Sequence, residues 1–160
     1  MLRQAVTTDL ENIFQIYMDP TVNPFMSWEV MSLEEFRPIY QTLLATNALY
    51  VYEVDHTTAA VIRLERRTHR LSHIAYIGGF GVGAHFQNRG LGSRIMKEAI
   101  SKLHSEGVKR IELIVEADNP RAISLYEKTG FVREGTLRRF FKRESQSTFV
   151  DDYYYALFVD

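Results

Sequence analysis

Six of the nine glycines fall between Gly78 and Gly92, within one strand-like run, HIAYIGGFGV, and the loop that leaves it. Such a density points to one place where backbone must be approached closely. The loop ends in QNRGLG, residues 87 to 92, and the segment from Leu91 to Leu103 then repeats apolar residues at helical spacing. Gly107 stops that helix, and VKRIELIVE after it is rich in β-branched residues, as a strand should be. Strand, glycine loop, helix and strand together make a parallel crossover, which is nearly always right-handed. The chain must therefore build a sheet with a parallel pair inside it.

Neither common nucleotide motif fits the loop. No lysine follows the second glycine as a P-loop requires, and Phe86 stands where GxGxxG in the Gly81 frame needs its third glycine. What remains is Gln-x-x-Gly-x-Gly at a helix N-terminus, where unpaired amides and the helix dipole favour an anion such as a diphosphate. The same six residues also suit a turn needed only for tight strand-to-helix packing.

The rest of the chain frames this unit. Leu2 to Val6 suits a strand; Thr8 to Glu11 has capping-box spacing ahead of a stripe of Leu10, Ile13, Phe14 and Tyr17. An aromatic-bearing loop, MDPTVNPFMSWEV, leads to a second helix from about Ser32, with Pro38 inside it. ALYVYEV, AAVIRLE and HIAYIGGFGV read as an antiparallel meander, and the tail from Phe131 suits two long strands around a polar turn at RESQS. Asn119-Pro120 starts a short helix that Gly130 ends. No linker divides residues 1–160, so a single α/β domain is expected, with a mixed, mostly antiparallel sheet of about seven strands and about four helices.

Composition removes several functions. A formal net charge of -1 supplies no basic field for nucleic acid or an anionic membrane. Cysteine is absent, which excludes disulfides, thiolate zinc sites and an acyl-enzyme on a thiol, and no metal is expected. The N-terminus lacks a signal peptide's apolar stretch, and no run approaches the roughly 20 apolar residues of a membrane span. A cytoplasmic location is the expectation.

HFQNRGLGSRIMKEAI after GGFGV resembles the acetyl-coenzyme A signature of the GNAT (GCN5-related) N-acetyltransferases, and NPRAISLYEKTGF, Asn119 to Phe131, resembles the second motif of that family. The order of elements is similar to the GNAT fold from end to end. The resemblance implies that acetyl-CoA is bound by Phe80, Val82, Gln87, Asn88, Arg89, Gly90, Leu91, Gly92, Ser93, Asn119, Ala122 and Tyr126, with Arg94 also available to the phosphates. It implies that the Val82 N–H polarises the thioester carbonyl and that Tyr126 protonates the departing thiolate.

An ammonium acceptor must also lose a proton. Several relatives keep a glutamate for this on the fourth strand, where this chain has Tyr76, Ile77 and Gly78. His73 is the favoured stand-in, with Glu112, Glu116 and, less favoured, His85 as other candidates. Phe25, Trp28 and Glu29 are expected at the acceptor; Glu144, Asp151 and Asp152 are further partners for an ammonium, and Arg138 or Arg139 for a carboxylate. The implied activity is acetyl transfer to a small primary amine such as an amino acid or polyamine. The alternatives are a protein N-terminal acetyltransferase of the ribosomal-protein type and a non-catalytic CoA-binding module. The long terminal strands could also pair edge to edge in a homodimer.

Overall fold

The computed structural model describes residues 1–160. Its strands are β1 (Leu2–Gln4), β2 (Leu49–Val54), β3 (Thr57–Arg66), β4 (Ile74–Val82), β5 (Arg110–Glu116), β6 (Val132–Phe141) and β7 (Val150–Phe158). They form one sheet in the order β1-β2-β3-β4-β5-β7-β6. Only β4 and β5 run parallel, joined by the expected crossover through helix α3 (Leu91–Ser105). The other helices are α1 (Leu10–Tyr17), α2 (Leu33–Ala45) and α4 (Pro120–Lys128).

Alternation along the central strands divides the core in two. Ile62, Leu64, Ala75, Ile77, Leu113 and Val115 pack with Met96 and Leu103 of α3 and Tyr126 of α4. Leu49, Val51 and Val61 face the other way, onto Ile13 and Tyr17 of α1 and Phe36 and Tyr40 of α2. The sheet thus has one face under α3 and α4 and one under α1 and α2.

Local signals set most helix ends. Asn119 Oδ1 accepts from Ala122 N at 3.2 Å with Pro120 behind it, and Ser32 and Glu35 exchange a capping box at the start of α2. The capping-box spacing at Thr8 to Glu11 is not used. A single 3-10 turn, Thr7–Asp9, precedes α1, and Asp9 instead accepts from Val6 N and pairs with Arg3, both at 2.8 Å. β7 is hydrogen-bonded on both sides, by β5 and β6, so of the two terminal strands only β6 offers an edge for pairing.

One irregularity positions everything below. Against β3, Val61 pairs Gly81 and Arg63 pairs Gly78, so β4 carries an extra residue in a bulge. Gly79 is in that bulge at φ 53°, and a Cβ there would lie 2.7 Å from Tyr17 Oη, so only glycine fits. Pairing of β4 with β5 ends at Tyr76–Glu112, and beyond it the strands part.

Candidate active site

The gap opened by β4 and β5 is a cleft of about 580 Å³ running through the sheet. Its β4 wall is Tyr76 to Val82, its β5 wall is Ile114 to Glu116, and the N-termini of α3 and α4 stand at one mouth.

Backbone polarity in the β4 wall follows from one hydrogen bond. Gly83 N donates to Ala59 O at 2.9 Å, so Gly83 and Gly81 turn their peptide groups towards β3. By alternation, Val82 and Phe80 turn theirs towards the side that β5 has left. The Val82 carbonyl is engaged by Gln87 Nε2 at 2.8 Å, and its N–H looks into the cleft. Gln87 also donates to Thr21 Oγ1 and accepts from Arg121 Nη1, both at 2.9 Å, tying together the α1–α2 loop, β4 and α4. Gly90 takes φ 72° as the N-cap of α3, leaving first-turn amides of Leu91, Gly92 and Ser93 beside the cleft.

Tyr126 reaches the gap from beneath the α3–α4 face and is buried to 8% exposure. Burial, with the neighbouring Glu116 and Tyr76, raises its pKa far above the ordinary phenol value, so it stays a proton donor at physiological pH. Glu116 follows Leu113 and Val115, which face α3 and α4, so its side chain points to the α1–α2 face. Asp152 is its cross-strand partner on β7 and shares that face. Burial raises Glu116 to about 7 and Asp152 to about 6, and the charge of Asp152 adds to the rise of Glu116.

Two loops close over the carboxylates. Arg143, 9% exposed, donates from Nε to Pro24 O at 2.6 Å, binds Asp118 at 2.7 Å and 3.1 Å, and lies 5.3 Å from the Phe25 ring centroid. Glu144 N donates to Glu29 Oε1 at 2.7 Å. The α1–α2 loop and the β6–β7 turn are thereby fastened to each other.

A family model described as "Acetyltransferase (GNAT) family" matches residues 10–131. The chain belongs to the GNAT acetyltransferases. This GNAT chain is 36% identical over 166 residues to L-amino acid N-acetyltransferase AaaT of Escherichia coli (strain K12), covering 98% of the chain and 96% of that relative. [Ribosomal protein bS18]-alanine N-acetyltransferase of Salmonella typhimurium matches at 42% over 65 residues, 41% of this chain and 43% of that one. In fold, the structure matches spermidine N-acetyltransferase from Vibrio cholerae, solved with CoA and spermine, at a TM-score of 0.84 over 99% of this chain and 94% of that one, with 21% identity. The chain is an N-acetyltransferase that takes its acetyl group from acetyl-CoA.

Of the positions that the GNAT resemblance implies, Phe80, Val82, Gln87, Asn88, Gly90, Leu91, Gly92, Ser93, Asn119, Ala122 and Tyr126 all line the cleft. Arg89 and Arg94 do not: both are exposed, and the arginine at that mouth is Arg121. His73 is exposed at the opposite end of β4, about 30 Å from Val82 at about 3.3 Å per residue. There its backbone carbonyl accepts from Lys109 N and Arg110 N, and the distance from the cleft puts its imidazole out of reach of an acceptor amine. His85 is exposed outside the lining and Glu112 is bound to Arg110 at 2.7 Å, so of the four candidates for the base only Glu116 lines the cleft.

Of the residues expected at the acceptor, Phe25 lines the cleft, but Trp28 packs against Tyr17 and edge-on to Phe36, and Glu29 fastens the loops. Glu144 meets Glu29 through its backbone, and Asp151 accepts from Arg139 N at 2.7 Å; of the four acidic residues named for an ammonium only Asp152 reaches the cleft. Arg138 and Arg139 border a separate outer depression. The cleft is also lined by Arg63 of β3, which the strand pattern of AAVIRLE presents as an ordinary outward polar residue.

Proposed function

We propose that this acetyltransferase acetylates the amine of a free L-amino acid. The observation that carries this reading is the fastening of the α1–α2 loop to the β6–β7 turn by Arg143 and Glu29, a fixed rim that favours a small acceptor over a peptide chain. A relative named for L-amino acids that aligns along nearly the whole chain supports it, whereas the ribosomal-protein enzyme aligns with less than half.

The residues fit acetyl-CoA: first-turn amides of α3 and Arg121 suit a diphosphate, and the free edge at Phe80 and Val82 suits an extended arm. Bound there, acetyl-CoA supplies a thioester-activated acetyl group. The Val82 N–H polarises the acetyl carbonyl, which calls for no metal. Glu116 takes one proton from the acceptor ammonium and passes it to solvent; the freed nitrogen forms the C–N bond and gives up its second proton to solvent as the C–S bond breaks. Tyr126 gives its proton to the sulfur and recovers one from solvent. Net, one ammonium becomes an acetamide and one proton is released. A regulatory module without turnover would have no use for a buried acid and base in one cleft.

The test is CoA release with free amino acids, polyamines and N-terminal peptides as acceptors, alongside the melting temperature with acetyl-CoA, which at 100 times its Kd should add about 2.7 kcal/mol of stability. Activity confined to peptides would refute the reading.

A further inference from the structure

Two buried side-chain polar atoms in the whole protein lack a hydrogen-bond partner, Arg63 Nε and Asp152 Oδ1. One is a donor and one an acceptor, they carry opposite charge, and both residues line the acetyl-transfer cleft. Native interiors leave few such atoms unmatched, because each unmatched group forfeits its hydration. Two opposite ones in a single cleft point to one ligand with a complementary pair of ends.

Both face the acceptor. Arg63 sits between Ile62 and Leu64, which point to α3 and α4, so its guanidinium is on the α1–α2 face with Asp152 and Glu116. Register places it along the sheet: Arg63 pairs Gly78, and two residues earlier on β4 Tyr76 pairs Glu112. Arg63 therefore stands two strands from β5, about 10 Å at the usual spacing, level with Ile114 and two residues short of Glu116. The arginine side chain covers part of that gap, with its Nη2 beside Gly78 of β4, and Asp152 lies one strand further on, on β7. Its Nη2 lies 3.1 Å from Glu65 Oε1, and its Nε is buried without a partner.

We propose that Arg63 and Asp152 are the two poles of a zwitterion site, Arg63 receiving the free α-carboxylate of an amino acid and Asp152, beside Glu116, receiving its ammonium. This rests on the amino-acid reading above and adds what recognises the substrate. A guanidinium offers a carboxylate a fixed, forked set of donors. A polyamine would bring no acceptor for Arg63 Nε and would set a second cation beside the guanidinium, and a peptide N-terminus or amino-acid amide would present a neutral carbonyl in place of the carboxylate.

The measurement is kcat/KM for the best free amino acid against its own carboxamide and its decarboxylated amine. The intact enzyme should favour the free acid by at least about 30-fold, the lower end of the scale for truncating one member of a buried hydrogen-bonded charge pair. Arg63→Gln should bring that ratio towards one, chiefly through KM for the acid, while acetyl-CoA still raises the melting temperature of the variant. Arg63→Lys, which keeps the charge and loses the fork, should fall between. Equal use of acid and carboxamide by the intact enzyme would overturn the zwitterion site and leave the amino-acid reading standing, and it decides the matter even if Arg63→Gln does not fold. Retention of the full ratio in Arg63→Gln would also overturn it. Failure to acetylate any free amino acid would instead overturn the reading beneath it.

Discussion

Replacing Glu116 by glutamine separates its chemical role from its cost to the fold. Burial carries this carboxyl from its ordinary 4.5 to about 7 in the folded protein. A raised carboxyl pKa gives a contribution that is fully present below the unfolded value and is lost as pH climbs through the folded value. Between about pH 4.5 and pH 7 the protein therefore gives up stability, about 3 kcal/mol at about 1.4 kcal/mol per pH unit. Glu116→Gln keeps the shape and removes the charge. At pH 8.5, a chosen condition about 1.5 units above the folded value, the variant should melt roughly 6 to 12 °C above the parent, at about 2–4 °C per kcal/mol for a domain of this size. Near pH 4.5 the difference should vanish. Turnover should move the opposite way, falling about 10²- to 10⁴-fold, and the parent's kcat/KM should rise with pH through an apparent pKa near 7 that the variant lacks. Scanning calorimetry and CoA-release kinetics across pH read both quantities. A variant no more stable at pH 8.5, or one that turns over like its parent with the same pH profile, would refute the assignment.

Tyr126→Phe removes one hydroxyl from a residue 8% exposed and should lower kcat by about 10²-fold or more while the Kd for CoA changes little, as measured by titration calorimetry. Equal kcat would end its role as the acid. Gly79→Ala puts a methyl group at φ 53° against Tyr17 Oη and should cost about 1–3 kcal/mol in urea unfolding, with weaker CoA binding as the strand is re-aimed. Unchanged stability and affinity would mean that the bulge does not shape the cleft.

The fold and the donor half of the cleft are legible in the sequence because both are written in local code. Glycines that end a strand, a Gln-x-x-Gly-x-Gly loop and an Asn-Pro cap each act within a few residues, and the structure puts them where that code implies. The acceptor half is made by strands distant in sequence. Glu116 and Asp152 become neighbours only through β5–β7 register, and Arg63 joins them through two further pairings. His73 misled because it lies just before the right strand, at the end away from the cleft. Trp28 misled because the loop that carries it turns it inward onto Tyr17. Arg138 and Arg139 sit on β6, which passes outside the site.

The extra residue in β4 lies beside an open seam in the middle of the sheet. The seam begins just before one left-handed peptide, and the cleft that Tyr126 and Glu116 line is that unfinished pairing.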